Sequence, residues 1–324
     1  MKSRKLFYGI FATLMVLNIA LWFGREPILD WQALRTYQAP SAISKLASDD
    51  TMTDKAQKYF YINHPSIEDR TNFNKHCPNN SEQSVVLGCF LGNRAGIYLF
   101  NVSDPELHGV EQVTAAHEML HQAYQRLSSA ERIKVNNLLE KYYTDGLTDS
   151  GIKDQIKLYQ KSEPDAMDDE MHSLFGTEAT NLSPELESYY KQYFSKRSTV
   201  AAFYTSYQSA FTERKQQIAD YDAQLSKLKP QINSLESSLE QQKSALNTMQ
   251  SQMDSYKSSG NYDAYNGLVP VYNAKVNTYN ADLELLKSKI ATYNNVVEER
   301  NNIALEEQTL QQHLSSKLQS TSAQ

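Results

Sequence analysis

The chain has 324 residues, of which 40% are hydrophobic and 22% are charged, and its formal net charge is -6 at pH 7. That length accommodates one ordinary globular domain and a second segment. The acidic net charge and the scattered lysines and arginines exclude a nucleic-acid-binding protein, since such proteins concentrate basic residues on one face.

An apolar run over residues 6–23 is the first predicted element, and three basic residues precede it. As a helix it would span about 27 Å, close to the thickness of a bilayer core. The positive-inside rule predicts a signal anchor over residues 1–25, with the N-terminus in the cytoplasm. A cleaved signal peptide is the alternative. We therefore expect a single-pass cell-membrane protein whose bulk is extracytoplasmic, with residues 26–54 as a juxtamembrane linker.

The two cysteines, Cys77 and Cys89, flank a turn-like stretch that begins at Pro78. Outside the cytoplasm, a pair so close in sequence is typical of a disulfide that closes a small loop. Two free thiols in the core are the alternative, and a metal site is disfavoured because no CxxC spacing is present. We therefore predict a disulfide between Cys77 and Cys89.

Two apolar runs, 84–90 and 95–102, predict β-strands. Glycine and asparagine within residues 91–94 suit a hairpin turn between them. A capping residue and an early proline at 103–105 then predict the start of a helix. We therefore expect two strands followed by the helix that carries the next motif.

That helix contains the sequence HEMLH, from His117 to His121. The two histidines are four residues apart, so both imidazoles project from one helix face and can bind one Zn²⁺. Glu118 is rotated by about 100° from His117, which makes it a poor ligand but a possible general base towards an activated water. An amphipathic helix with two surface histidines is the alternative. It is disfavoured because Glu118 is the only charged residue within 114–123.

This uncharged HExxH helix resembles the zinc-binding helix of the zincin metallopeptidases. The metzincin subclass is excluded, because Tyr124 and Leu127 stand where its glycine and third histidine would be. Over about residues 59–197, the chain instead resembles an uncharacterised, membrane-anchored bacterial peptidase of the gluzincin type. The resemblance implies an α+β, zincin-like zinc domain, which we place at residues 55–198.

Catalytic zinc sites use three protein ligands, and the gluzincin resemblance implies a glutamate from a later helix. Within the acidic segment 165–178, Glu170 is the predicted third ligand and His172 is the alternative. Helical spacing directs these two side chains to different faces. If Glu170 binds the metal, His172 is predicted to donate a hydrogen bond to the oxyanion or to a ligand. Three further acids are predicted either to orient the zinc-binding histidines or to be solvated surface acids: Asp168, Asp169 and Glu178.

The resemblance implies an extracytoplasmic zinc endopeptidase that acts on a protein or peptide substrate, with Glu118 as the general base. It also implies that an edge strand near the zinc helix aligns the extended substrate, a role that we assign to residues 97–102. The alternative is a non-catalytic, zinc-stabilised envelope binding or scaffold protein. Glu118 disfavours this alternative, because a structural zinc site needs no general base.

A heptad pattern begins at Tyr204. Apolar residues recur at a and d spacing on both sides of a break at 258–261, which predicts a long antiparallel coiled-coil hairpin over residues 199–320. Pro230 is expected to kink or interrupt the first arm, and residues 266–270 to open the second. The hairpin is predicted to contact an envelope protein or to self-associate. The predicted fold is thus α+β, a zincin-like domain followed by this hairpin, with one N-terminal transmembrane helix.

Overall fold

The computed structural model describes residues 25–78, 86–92, 94–162 and 164–317. The chain forms two compact units: a first unit of Met1–Ala210 with Leu310–Gln324, and a second unit of Phe211–Thr309. The helices are α1 (residues 25–36), α2 (Ser41–Asp49), α3 (Asp54–Tyr61), α4 (Arg70–His76), α5 (Val110–Gln125), α6 (Ser129–Lys141), α7 (Ser150–Ser162), α8 (Met167–Thr177), α9 (Pro184–Tyr190), α10 (Arg197–Ser258) and α11 (Tyr262–Leu314). The strands are β1 (Ser66–Glu68), β2 (Gly88–Phe90) and β3 (Ile97–Phe100).

A small sheet in the first unit has the order β1-β3-β2. Strand β3 pairs in parallel with β1 and in antiparallel with β2. Side chains alternate between the two faces of a strand, so Ile97 and Leu99 enter the main core against α5. Phe100 lies on the other face, in a smaller cluster with Phe73 of α4 and Cys77. The sheet is therefore enclosed between α5 and α4.

Helix α5 runs through the main core of the first unit, with α2, α3 and α8 packed around it. Burial on several sides explains why so few of its residues are charged. Helix α8 approaches α5 very closely at Gly176, where a Cβ atom would lie 2.4 Å from Cδ1 of Leu120. This close approach brings the acidic start of α8 against the histidine face of α5.

Helix α1 is attached to the C-terminal end of α5 through the buried carboxylate of Asp30. This carboxylate lies 2.8 Å from Nη2 of Arg94 and 2.7 Å from Nη2 of Arg126, the residue that caps α5. Burial raises the pKa of Asp30, but the two guanidinium groups outweigh this effect and lower it overall. The contribution of Asp30 to stability is therefore present above its unfolded pKa and is lost as the pH falls through its lowered folded pKa.

The C-terminal residues return to the first unit after the hairpin. Nδ1 of His313 lies 2.5 Å from Oδ2 of Asp104. The Ser316 hydroxyl donates to the carbonyl oxygen of Val86 at 2.6 Å, and Asn74 donates to the carbonyl oxygen of Ser316 at 2.6 Å. Leu310 and Ser316 are buried. These contacts hold the chain segment that leads into β2.

Deleting residues 310–324 should lower the free energy of unfolding of the first unit by about 3 kcal/mol, because it exposes the surface covered by Leu310 and removes the hydrogen bonds of Ser316. Urea denaturation followed by circular dichroism measures the change. Deleting residues 318–324 alone keeps all of these contacts and is the control. Equal stability of the two truncated proteins would contradict the prediction.

The second unit consists of the inner parts of α10 and α11, which run antiparallel. Arg300 lies 3.0 Å from Asp222, and Gln242 donates to Asp282 at 2.6 Å. Leu239 is among the buried side chains of this unit. Helix α10 is continuous through Pro230, so the local break expected there is absent from this helix, and α11 begins before residues 266–270 and contains Pro270.

The predicted α+β zincin-like fold is wrong. Within the described residues the strands have only three, three and four residues, and helices make up most of the rest. The physical reason is that, among the described residues of the apolar runs 84–90 and 95–102, strand pairing covers only Gly88–Phe90 and Ile97–Phe100. Val86, Leu87 and Val102 lie outside the strands and pack against the smaller cluster beside α4.

The predicted membrane anchor and cell-membrane location are contradicted as well. No helix in the described part of the chain has both the length and the apolar character needed to cross a bilayer. The predicted anchor over residues 1–25 falls on residues 1–24, outside the described residues, and on residue 25, the first of α1.

Candidate metal centre

Three predicted ligands, His117, His121 and Glu170, converge in the first unit, with one ligand atom of each within 4.8 Å of the others. Nε2 of His117 lies 3.7 Å from Oε2 of Glu170, and Nε2 of His121 lies 3.7 Å from Oε1. A tetrahedral zinc ion with bonds of about 2.0–2.1 Å separates its ligand atoms by about 3.4 Å. The three side chains therefore fit one zinc ion with only small adjustments.

The helices α5 and α8 produce this arrangement. His117 and His121 are one turn apart on α5, and their ring centroids are 4.8 Å apart with planes at 74°. Glu170 lies in the first turn of α8, which packs along the same face of α5. Its carboxylate can therefore reach both imidazoles.

The electrostatics of the cluster favour a bound cation. Glu170 is only 8% exposed, and its Oε2 has no hydrogen-bond partner among the described residues. Burial raises the pKa of Glu170, but the neighbouring His121 and His117 outweigh it and lower the pKa overall. For the imidazole of His121 the effects have the opposite sign. Burial lowers its pKa, but the carboxylates of Glu170 and Asp169 outweigh burial and raise the pKa to about 10. A divalent cation would satisfy the carboxylate oxygen and compete with this proton.

Asp169 lies beside the cluster, with Oδ1 at 2.9 Å from Nδ1 of His121. When Asp169 accepts a hydrogen bond from Nδ1–H of His121, the lone pair of the neutral ring is on Nε2, which faces Glu170. Asp169 is therefore placed where it can orient the ring of His121.

His172 faces the opposite side of α8 and is fully buried. Its Nε2 lies 2.9 Å from the hydroxyl of Tyr189, and the rings of Tyr124, Tyr190 and Tyr193 surround it. Burial, with smaller contributions from the histidine pair, lowers the pKa of His172 to about 3. The ring is therefore neutral and belongs to an aromatic core, so the geometry favours Glu170 over His172 as the third ligand.

Glu118 is 6% exposed and lies directly under β2. A Cβ atom at Gly88 would be 2.6 Å from Oε1 of Glu118 and 2.6 Å from Cγ2 of Thr114. Only glycine allows the strand to approach the helix this closely, and the strand in turn limits where the carboxylate can move. The sequence interpretation missed Gly88, although a glycine inside a strand is a known sign of close approach.

An open cavity of about 430 Å³ contains the cluster and Glu118. Its walls are α5, α8, residues of α7 and the stretch 86–91, which includes β2. The predicted disulfide between Cys77 and Cys89 is confirmed, with a Cα–Cα distance of 6.2 Å, and both cysteines line the cavity. The disulfide thus ties the end of α4 to β2 at the edge of the site.

Glu178, which caps the C-terminal end of α8, is 6% exposed and also lines the cavity. Burial raises its pKa to about 7, against smaller lowering effects of His117 and a hydrogen bond from Tyr204. The sequence interpretation missed Tyr159 and Tyr207, two further cavity residues. Tyr159 belongs to no motif, and Tyr207, three residues after Tyr204, has the spacing of an apolar heptad position.

The role predicted for residues 97–102 is wrong, because β3 is the central strand and both of its edges are paired. Strand β2 is the edge strand beside the cluster, and the ring of Phe90 is parallel to that of His121 at 6.4 Å.

No protein-family model matches the chain, and no curated protein or solved structure is significantly similar to it.

Proposed function

We propose that this protein is a zinc-dependent peptidase that hydrolyses peptide bonds in a protein or peptide substrate. The observation that carries the proposal is the convergence of His117, His121 and Glu170 beside a separate buried carboxylate, Glu118, in an open cavity. A purely structural zinc site is normally closed by a fourth protein ligand and needs no base. The open cavity therefore favours catalysis over a scaffold that zinc only stabilises.

The donor set of two imidazoles and one carboxylate suits zinc, which binds nitrogen and oxygen ligands in a tetrahedral geometry. The bound ion would supply Lewis-acid chemistry, polarising the scissile carbonyl and lowering the pKa of water. His117, His121 and Glu170 would hold it, and Asp169 would keep His121 in the required tautomer.

Glu118 is the residue that we propose as the general base. It lies on α5 next to His117 but is rotated out of the ligand set, so its carboxylate remains able to accept a proton. Its contact with the backbone of Gly88 limits its freedom. In this role Glu118 removes a proton from the attacking water and passes it to the leaving amine.

The backbone of β2 supports an extended peptide as the substrate. The amide of Phe100 donates to the carbonyl of Leu87, and the amide of Leu91 donates to Gly96, so these groups of Leu87 and Leu91 face β3. Because backbone groups alternate in direction along a strand, Gly88 and Phe90 direct theirs towards the outer edge. An added peptide strand would pair there, across the mouth of the cavity.

The protein should bind about one zinc ion per chain, because its three-ligand cluster is of the catalytic type. Elemental analysis of the full-length protein measures the zinc content, and a library of fluorescence-quenched peptides measures hydrolysis. A chelator should abolish hydrolysis, and added zinc should restore it. Protein that holds no zinc after dialysis against zinc, or hydrolysis that the chelator does not affect, would overturn the proposal.

A further inference from the structure

The cavity around the candidate metal centre has a strongly acidic lining. Four carboxylic acids line it, and among the described lining residues there is no lysine or arginine. The four acids are Glu118, Asp169, Glu170 and Glu178.

Three of these acids already have a role in the proposed site. Glu170 is a ligand, Glu118 is the base, and Asp169 binds Nδ1 of His121. A divalent cation would balance the charges of Glu170 and Glu118, and a carboxylate paired with an imidazole is also satisfied. Glu178 is the carboxylate that none of these interactions uses.

Glu178 is 6% exposed, and its Oε2 accepts no hydrogen bond from the described residues. A buried carboxylate oxygen without a donor is costly and calls for a partner. Leu174, one turn earlier on α8, and Tyr207 are buried side chains that line the same cavity. The hydroxyl of Tyr204 donates a hydrogen bond to the carboxyl group of Glu178.

We propose that Glu178 is a specificity-determining residue that binds a protonated amine or a guanidinium group of the substrate. The inference rests on the proposed peptidase function and names its substrate class, which is peptides with a basic group next to the cleaved bond. Leu174 and Tyr207 would contact the methylene groups of the chain that carries the charged group. The group is supplied either by a lysine or arginine side chain or by the free amino terminus of the peptide.

The test uses zinc-loaded full-length protein and quenched peptides that differ at one position, with lysine, arginine or norleucine on either side of the cleaved bond. Each peptide is tested with a free and an acetylated amino terminus, which distinguishes the two sources of charge. We expect the basic peptides, or those with a free terminus, to have a kcat/KM about 10- to 100-fold higher than their neutral counterparts, as for a hydrogen bond to a charged group.

Glu178→Gln should reduce this ratio to near one, and Glu178→Asp, which keeps the charge, should retain part of it. Asp165→Asn, at an exposed position outside the cavity, removes one charge from the same region and should leave the ratio unchanged. A wild-type ratio near one, or an unchanged ratio in Glu178→Gln, would overturn the inference.

Binding gives a second readout that does not require hydrolysis. Fluorescence anisotropy compares labelled basic and neutral peptides on zinc-loaded Glu118→Gln protein, with and without Glu178→Gln. A preference for the basic peptide that Glu178→Gln removes supports the inference, and equal affinities contradict it. Hydrolysis of basic and neutral peptides at equal rates would refute this inference alone, whereas a lack of hydrolysis of every peptide would refute the peptidase function.

Discussion

Glu118→Gln should lower kcat for peptide hydrolysis by at least about 10²- to 10⁴-fold, the usual contribution of a general base. Glutamine has the same shape as glutamate, so it fits under Gly88 and keeps the packing of β2 on α5. It cannot accept a proton as a carboxylate does. Zinc content should stay at the wild-type level, because Glu118 is outside the ligand set. Elemental analysis and peptide hydrolysis on the same preparation measure both properties.

Glu111→Gln is the matched control for this change. Glu111 lies about two helical turns before Glu118 on α5. It accepts a hydrogen bond from the amide of Val102, and the side-chain oxygen of glutamine can accept the same bond. Its activity should be close to wild type. If Glu118→Gln retains wild-type kcat, the proton acceptor is a different group, and the proposed mechanism is wrong.

Glu170→Ala should weaken zinc binding by more than the 10- to 100-fold typical of a residue that only orients a ligand. It removes the carboxylate that we propose as the third ligand and leaves only the two histidines, His117 and His121. His172→Ala should leave zinc affinity near the wild-type value, because its ring lies among tyrosines. It should instead lower the free energy of unfolding by about 3–5 kcal/mol, as truncation of a buried aromatic side chain does. Competition with a chromophoric chelator measures affinity, and urea denaturation measures stability.

The exposed His108, outside the cavity, provides a control, and His108→Ala should change neither quantity much. If folded His172→Ala protein loses its zinc while Glu170→Ala keeps it, then the assignment of the third ligand is reversed.

The sequence predicted the parts of the site that depend on local geometry. The spacing of His117 and His121 follows from the helix repeat alone, and so does the different direction of Glu118. The choice between Glu170 and His172 depends on which face of α8 meets α5. That depends on tertiary contacts such as the close approach at Gly176, which no local pattern contains.

Other features were missed because they depend on contacts between distant parts of the chain. The apolar runs around β2 and β3 have the composition of full strands, but several of their described residues pack beside α4 and are not paired in the sheet. The heptads predicted long helices, and they do not show that residues up to Ala210 and from Leu310 onwards belong to the first unit. Tyr207 illustrates this limit, since it occupies a heptad position and lines the metal cavity.

The chain leaves the first unit after Ala210 and re-enters it at Leu310, so the second unit is topologically an insertion. An inserted hairpin can change in length during evolution without altering the first unit, provided that both helical arms gain or lose residues together. Pairs such as Arg300 with Asp222 keep their partners only if the two changes match, and whole heptads also keep the apolar seam aligned. Relatives of this protein should therefore differ in arm length by multiples of about seven residues per arm, while the HExxH helix and the returning C-terminal segment stay constant.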